Sequence, residues 1–168
     1  MDQSVFERKP QPQPQPQPQP HDAVMQVVML GIGDEIFAIN TDMVREIIDP
    51  VPDTRVAGSR PFLPSVVNVR GNVIPLADLR ERFGMLRTEA TADTRFVVLE
   101  IEIDGDAVLV GVIADKVYEV TELDGSTRQK TPPVGMHWRP EFVAGIAKWK
   151  DEFIVLPDMA KILGSDGP

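Results

Sequence analysis

Few residues in this sequence could carry out acid–base or metal chemistry, and they are widely spaced. The chain has no cysteine and only two histidines, His21 and His137, neither of which has a metal-ligand partner at a useful spacing. Asp78 and Asp158 could form a pair of catalytic carboxylates, but each directly precedes a short helical pattern, where an aspartate commonly caps the helix. The residues therefore predict no enzyme activity, no metal site and no cofactor.

Two short glycine-containing segments resemble ligand-binding loops but favour another explanation. Gly31-Ile32-Gly33 lies between two strand patterns, and without a following helix N-terminus it cannot cradle a phosphate. Asp104-Gly105-Asp106 lacks the longer loop and closing glutamate of an EF-hand calcium site. Asp-Gly between two strands is a strong hairpin signal, so both segments predict turns.

The elements that position the two aspartates occur twice, 80 residues apart. Each copy, Phe62–Gly84 and Phe142–Gly164, predicts a strand, a tight turn, a second strand, an aspartate N-cap, a short helix and a terminating glycine. The sequence therefore predicts two similar small β units. The identical pairs are Phe62 and Phe142, Ile74 and Ile154, Leu76 and Leu156, Asp78 and Asp158, and Gly84 and Gly164.

The remaining segments also predict mostly short strands. The expected strands are Val24–Leu30, Glu35–Ile39, Thr54–Ala57, Arg95–Ile103 and Ala107–Val120, with a kink or bulge at Asp115-Lys116 in the last. Asp42–Ile47 is expected to be a helix capped by Asn40 or Thr41, and Glu122–Trp138 mostly loop. The expected fold class is mainly β: two packed five-stranded SH3-like barrels with a few short helices, one of them C-terminal.

Composition limits the class of protein and suggests its organisation. The net charge of −9 argues against nucleic-acid binding, and no apolar run reaches the length of a membrane helix, so we expect a cytoplasmic protein with no direct membrane insertion. Residues 1–21, which include PQPQPQPQPQP, are expected to be a disordered tail. The folded domain is expected over residues 22–164, with the boundary between barrels near 85–94 and a flexible end at 165–168.

Four segments resemble the chemotaxis coupling-protein (CheW) family. VVNVRGNVIPLADLRERFG is similar to its hallmark segment, an apolar strand, N-x-R-G, an apolar strand with proline, then D-L-R and a short helix. LGIGDEIFAINTDMVREII resembles the family's opening, and VLVGVIADKVYEV and EFVAGIAKWKDEFIVLPDMAKIL resemble its later strands and closing helix. The resemblance extends over roughly residues 24–164.

The resemblance implies a non-catalytic adaptor for signal transduction. Family members link the signalling tips of methyl-accepting chemoreceptors to the C-terminal regulatory domain of a CheA-type histidine kinase, within receptor arrays at the membrane. The receptor's helical hairpin docks in the groove between the two barrels, a mode of recognition that needs an apolar floor and a few polar anchors.

The resemblance also implies which residues contact the receptor. They are Val44 and Glu46 on the expected first helix, Arg70 and Gly71 in the N-x-R-G turn, Val120 and Gly145. Arg70 is the strongest candidate, because a tight turn projects its guanidinium outward. Alternatives remain: Arg70 as a solvated turn residue, core packing for Val44 and Val120, a local ion pair for Glu46, and close backbone packing for Gly145.

Two positions depart from the family pattern, and other functions remain open. Ser65 stands where a small glycine usually precedes the N-x-R-G strand, and Lys116 where a turn glycine commonly follows Asp115. Both could alter receptor specificity. The alternatives are a coupling protein of a non-flagellar, surface-motility pathway, and a small barrel that binds peptides or single-stranded nucleic acid; the latter should show surface aromatics among basic residues.

Overall fold

Strands form most of the part of the chain that the structure describes. A computed structural model of the chain describes residues 24–130 and 139–164, so the expected tail, His21, His137, Trp138 and residues 165–168 lie outside the described residues. The two described α-helices are α1 (Leu79–Phe83) and α2 (Met159–Gly164). The strands are β1 (Val24–Ile32), β2 (Glu35–Asn40), β3 (Val44–Ile48), β4 (Asp53–Arg55), β5 (Ser65–Val69), β6 (Asn72–Ala77), β7 (Arg95–Ile103), β8 (Asp106–Ala114), β9 (Lys116–Asp124), β10 (Val143–Trp149) and β11 (Glu152–Pro157).

The strands form two curved sheets. One has five strands in the order β10-β11-β2-β1-β9, and a bridge between Gln129 and Ile146 joins the segment after β9 to the opposite edge strand β10. We call this sheet the five-stranded barrel. The other has six strands in the order β3-β7-β8-β6-β5-β4, and we call it the six-stranded barrel.

The described core has three apolar clusters, and the side chains of a single strand can belong to two of them. On β1, Val27 and Met29 point into the five-stranded barrel, whereas Val28 and Leu30 join a larger cluster shared by both barrels. The side chains of β7 are divided in the same way. Phe96 and Val98 lie inside the six-stranded barrel, and the others belong to the shared cluster: Val97, Leu99 and Ile101. Because side chains alternate across a strand, one continuous apolar run fills a barrel and also packs it against its neighbour.

The two copies of the repeat have the same local structure. The second strand of each pairs in parallel with another strand, β6 with β8 and β11 with β2. The amide of Asp78 donates to the carbonyl of Phe62 at 2.9 Å, and that of Asp158 donates to Phe142 at 2.8 Å. Gly84 ends α1 with a φ of 64°, which glycine adopts without steric cost.

The prediction of a helix over Asp42–Ile47 is wrong. The Asn40 side chain does accept a hydrogen bond from the amide of Asp42 at 2.9 Å, but it caps only a single 3-10 turn, Thr41–Met43. The residues that follow form β3, which pairs antiparallel with β7. Valine and isoleucine favour strands, and the free edge of β7 gives them a partner, so the second sheet has six strands rather than five.

The long strand expected over Ala107–Val120 is two strands, and the chain passes from one barrel to the other between them. Strand β8 ends at Ala114 in the six-stranded barrel, and β9 begins at Lys116 in the five-stranded barrel and continues to Asp124. The barrels therefore do not divide the chain near residues 85–94. The five-stranded barrel takes β1, β2 and β9–β11, and the six-stranded barrel takes β3–β8.

Candidate partner-binding site

Arg70 and Gly71 form the tight turn between β5 and β6. Their φ angles are 51° and 85°, the positive pair that a type I′ hairpin turn requires. The Asn68 side chain accepts a hydrogen bond from the amide of Gly71 at 2.9 Å. The turn holds the Arg70 side chain away from the sheet, and 80% of it is exposed.

Glu46 on β3 positions the Arg70 guanidinium. Nε of Arg70 donates to both carboxylate oxygens of Glu46, at 2.9 and 3.2 Å. Glu46 is the more buried partner, with 25% of its side chain exposed. Because only Nε is engaged among the described residues, the two terminal nitrogens can donate to an external carboxylate or carbonyl.

A shallow depression of about 240 Å³ lies beside this ion pair. Its floor is apolar, and its edge carries a second, bidentate ion pair in which Arg45 donates to Glu100 at 2.5 and 3.1 Å. These hydrogen bonds hold the pKa of Glu100 below its ordinary value and raise the pKa of Arg45. The apolar lining residues are Val69, Ile74, Val98 and Leu109.

Val44 lies on the same strand as Glu46, but it faces the interior. It is half-buried and packs against the apolar cluster shared by the two barrels. A bulge in the pairing with β7 separates Val44 from Glu46. Core packing therefore accounts for Val44 without a partner, whereas Glu46 has a clear place beside Arg70.

Val120 and Gly145 lie on the five-stranded barrel, away from the strands that carry Glu46 and Arg70. Val120 is 61% exposed on β9, where it pairs with Val28. Gly145 is on β10, at a bulge in the pairing with β11. The predicted residues thus form two groups, one on each barrel, and the turn with Glu46 is the group in which side chains touch.

Sequence reasoning missed a buried ion pair between the barrels. Only 3% of the Arg80 side chain is exposed; it donates to Asp115 and lies 3.4 Å from the Asp78 carboxylate. Asp115 also accepts from the amide of Gly33 at 2.8 Å, and its own amide donates to Gly31 at 2.8 Å. Asp115 therefore connects helix α1 after β6 with the β1–β2 turn.

Sequence reasoning also missed a pair of exposed apolar side chains. Val73 is 68% exposed on β6, and Phe153 is 67% exposed on β11, at the equivalent position of the repeat. The sequence repeat could have revealed this pair, because each residue stands three positions after the first residue of its turn. Large exposed apolar groups of this kind occur at contact surfaces more often than charged ones do.

The two positions that depart from the family pattern have different surroundings. Ser65 is buried at the start of β5, where it pairs with Leu76 and Arg55. Lys116 is exposed at the start of β9, with its Nζ 5.1 Å from the centre of the Tyr118 ring. Ser65 therefore fits the six-stranded barrel, and Lys116 lies at the surface beside the crossing between barrels.

The described residues contain no cluster of three or more His, Asp or Glu side chains that could hold a metal ion. Across the ranges 24–130 and 139–164, no helix is long and apolar enough to cross a membrane.

Two packed small barrels, with ion pairs and exposed apolar groups on their surfaces, define a double-barrel interaction module. The chain belongs to the CheW-like family, because the model of the CheW-like domain matches residues 26–167. The resemblance carried by the four segments is therefore confirmed.

Relatives with known names match over most of their length. The chemotaxis protein CheW of Helicobacter pylori is 27% identical over 164 residues, which are 98% of this chain and 96% of the relative. That of Klebsiella aerogenes is 27% identical over 141 residues, or 84% and 82%. The crystal structure of the scaffolding protein CheW from Thermoanaerobacter tengcongensis has a TM-score of 0.75 at 28% identity and covers 87% of this chain and 97% of its own. The expected mainly β fold of two packed SH3-like barrels is confirmed.

Proposed function

We propose that this protein is a non-catalytic scaffold that couples chemoreceptor signalling tips to a CheA-type histidine kinase. Family membership and the names of the relatives support the chemotaxis role. The observation that carries the receptor half is the Arg70 guanidinium, which is exposed, held at one nitrogen by Glu46 and free to donate from the others.

The receptor contact is a helix laid against polar anchors beside apolar surface. Arg70 donates to a carboxylate or to exposed helix carbonyls of the receptor hairpin, and the ion pair with Glu46 fixes its direction before the receptor arrives. Gly71 allows the turn that projects Arg70. Val120 and the part of β10 around Gly145 contribute a second contact on the five-stranded barrel, and Val44 supports β3 from the interior.

The kinase contact uses a different surface, so that both partners are held at once. The partner is the C-terminal regulatory domain of the kinase, and the exposed Val73 and Phe153 are candidate contacts. Receptor state then reaches the kinase as a change at these interfaces, with a coupling free energy of about 1–3 kcal/mol. Weak individual contacts suffice, because the array at the membrane makes binding multivalent.

Calorimetric titration tests the two contacts separately. We expect the full chain to bind the regulatory domain of a histidine kinase from the same genome, and a soluble fragment of the receptor tip, each with micromolar affinity. Arg70→Glu should lose the receptor fragment and keep the kinase domain. Lys150→Glu, at the equivalent turn position of the second copy, is the matched control and should leave receptor binding unchanged. Absence of kinase binding by the unmodified chain would overturn the coupling role.

A further inference from the structure

Backbone conformation does not require a glycine at position 145, but the space beside it does. The φ of Gly145 lies outside the left-handed region, so an alanine could adopt the same backbone. A Cβ at this position, however, would lie 2.6 Å from Nε and 2.9 Å from Cγ of Arg128, closer than real Cβ contacts allow. Gly145 therefore provides the space in which the Arg128 side chain lies across β10.

Arg128 is held in that space from both ends. Its guanidinium Nη2 donates to the carbonyl of Ala144, and its amide donates to the carbonyl of Gly125 at 3.1 Å. The next residue, Gln129, exchanges two backbone hydrogen bonds with Ile146, at 2.7 and 3.0 Å. The side chain therefore lies across β10 while its charged end stays at the surface.

Among the described residues, the charge at this position has no anion of its own. No carboxylate among the described residues forms an ion pair with Arg128 or Lys130, whereas Lys148 and Lys150, on the same barrel, pair with Asp151 and Glu119. Arg128 and Lys130 line a depression of about 350 Å³ together with Gln129 and Ala144. Two unpaired cations in a chain of net charge −9 fit an acidic partner better than a neutral one.

We propose that Arg128 is the group that contacts the partner at this end of the site, that it binds a carboxylate on the receptor helix, and that Gly145 acts only by seating it. Gly145 is thus a positioning residue and Arg128 a determinant of specificity. This inference rests on the proposed receptor contact. The seating of Arg128, in contrast, is a property of the chain alone and can be measured without any partner.

Thermal unfolding of the full chain tests the seating. Gly145→Ala should lower the melting temperature by about 2–4 °C, because it displaces Arg128 from its hydrogen bond and its packing. When Arg128 is already replaced by alanine, Gly145→Ala should lower the melting temperature by less than about 1 °C. The control is Gly111→Ala, whose Cβ would meet Leu76 at 3.1 Å and not Arg128, so its effect should be equal in both backgrounds. An equal cost of Gly145→Ala in both backgrounds would overturn the seating.

Titration with the receptor-tip fragment tests the contact. Arg128→Ala should weaken binding roughly twofold to fivefold, as expected for a partly exposed ion pair, and Arg128→Glu by about tenfold or more. The salt dependence of the affinity should become shallower in Arg128→Ala. Gly145→Ala should weaken binding in the unmodified chain but add nothing to Arg128→Ala, a result that a purely structural role would not give.

The possible failures can be told apart. If the unmodified chain binds the fragment and Arg128→Glu binds equally well, the proposed contact is wrong and the receptor role stands. If the unmodified chain does not bind the fragment at all, the receptor role is overturned together with this contact. In that case the unfolding cycle still decides whether Gly145 seats Arg128.

Discussion

The two hairpin–helix units, residues 62–84 and 142–164, share a backbone plan but carry different chemistry. Both turns have two residues with positive φ: Arg70 and Gly71 in the first unit, Lys150 and Asp151 in the second. Each turn is tied to another strand of its own barrel through a carboxylate, Arg70 to Glu46 on β3 and Lys150 to Glu119 on β9. The equivalent backbone therefore presents a guanidinium held by a mostly buried carboxylate in the first unit, and an ammonium paired with a more exposed carboxylate in the second.

The helices of the two units also differ in their ionic contacts. Arg80 in α1 is buried against Asp78 and Asp115, whereas Ala160, at the equivalent position of α2, is exposed. Among the described residues, both units thus have exposed ion pairs, and the first unit also has a buried one. A fold built from two similar units can keep one for structure and place polar functions in the other, and the following changes test that division.

The largest effect is expected at the buried pair of the first unit. Asp115→Ala leaves the Arg80 charge buried with Asp78 as its one remaining carboxylate among the described residues, so we expect the free energy of unfolding to fall by about 3 kcal/mol. Chemical denaturation measures this loss. Removing both charges, by Arg80→Met with Asp115→Ala, should recover part of it. A loss below about 1 kcal/mol would mean that the pair behaves as an exposed one.

The two capping aspartates provide a direct comparison. Asp78 caps α1 at the amide of Arg80 and also faces its buried guanidinium, whereas Asp158 accepts from the amide of Lys161, whose side chain is exposed. We expect Asp78→Ala to cost about 2 kcal/mol in unfolding free energy and Asp158→Ala about 1 kcal/mol. Equal losses would show that capping alone explains Asp78.

The first copy and the Asp104-Gly105 hairpin were predicted well from sequence, because their signals are local. An aspartate before a helix and a glycine after it determine α1 at both ends, and the Asp104-Gly105 turn has the expected positive φ angles of 53° and 87°. The buried state of Arg80 could not be predicted, since arginine is rarely buried and its partner Asp115 is 35 residues away.

The errors have one physical cause, which is pairing between distant strands. The helix expected near Val44 depended on a local cap, but an edge of β7 was available to the same residues. The chain crosses between barrels at Asp115, and that crossing depends on partners such as Gly31 in β1. Local pattern does not record which sheet a strand joins, so the barrel boundary was misplaced.

The ion pair of the first turn should affect binding rather than stability. Arg70→Glu should weaken receptor-fragment affinity more than tenfold, because it places two negative charges together and removes the donor. Exchanging the charges, with Glu46→Arg and Arg70→Glu, should restore the internal pair and normal stability but not receptor binding. Recovery of binding in the exchanged variant would show that Arg70 acts only within the protein.

The smallest effect is expected from the turn backbone. Gly71 has a φ of 85°, so Gly71→Ala should cost about 1–2 kcal/mol in unfolding free energy. Asp151→Gly, at the equivalent position, should change it by no more than about 0.5 kcal/mol, since glycine tolerates the φ of 64° there. Denaturation curves at one temperature measure both. Similar losses for the two variants would contradict a special requirement in the first turn.

Simultaneous binding of both partners tests the scaffold role most directly. The receptor-tip fragment is titrated into a preformed complex of the full chain with the kinase regulatory domain, and the mass of the product is measured. If the protein couples the two partners, a ternary complex forms and the kinase domain is retained. Displacement of the kinase domain by the receptor fragment would contradict the account, because the two partners would then compete for one surface.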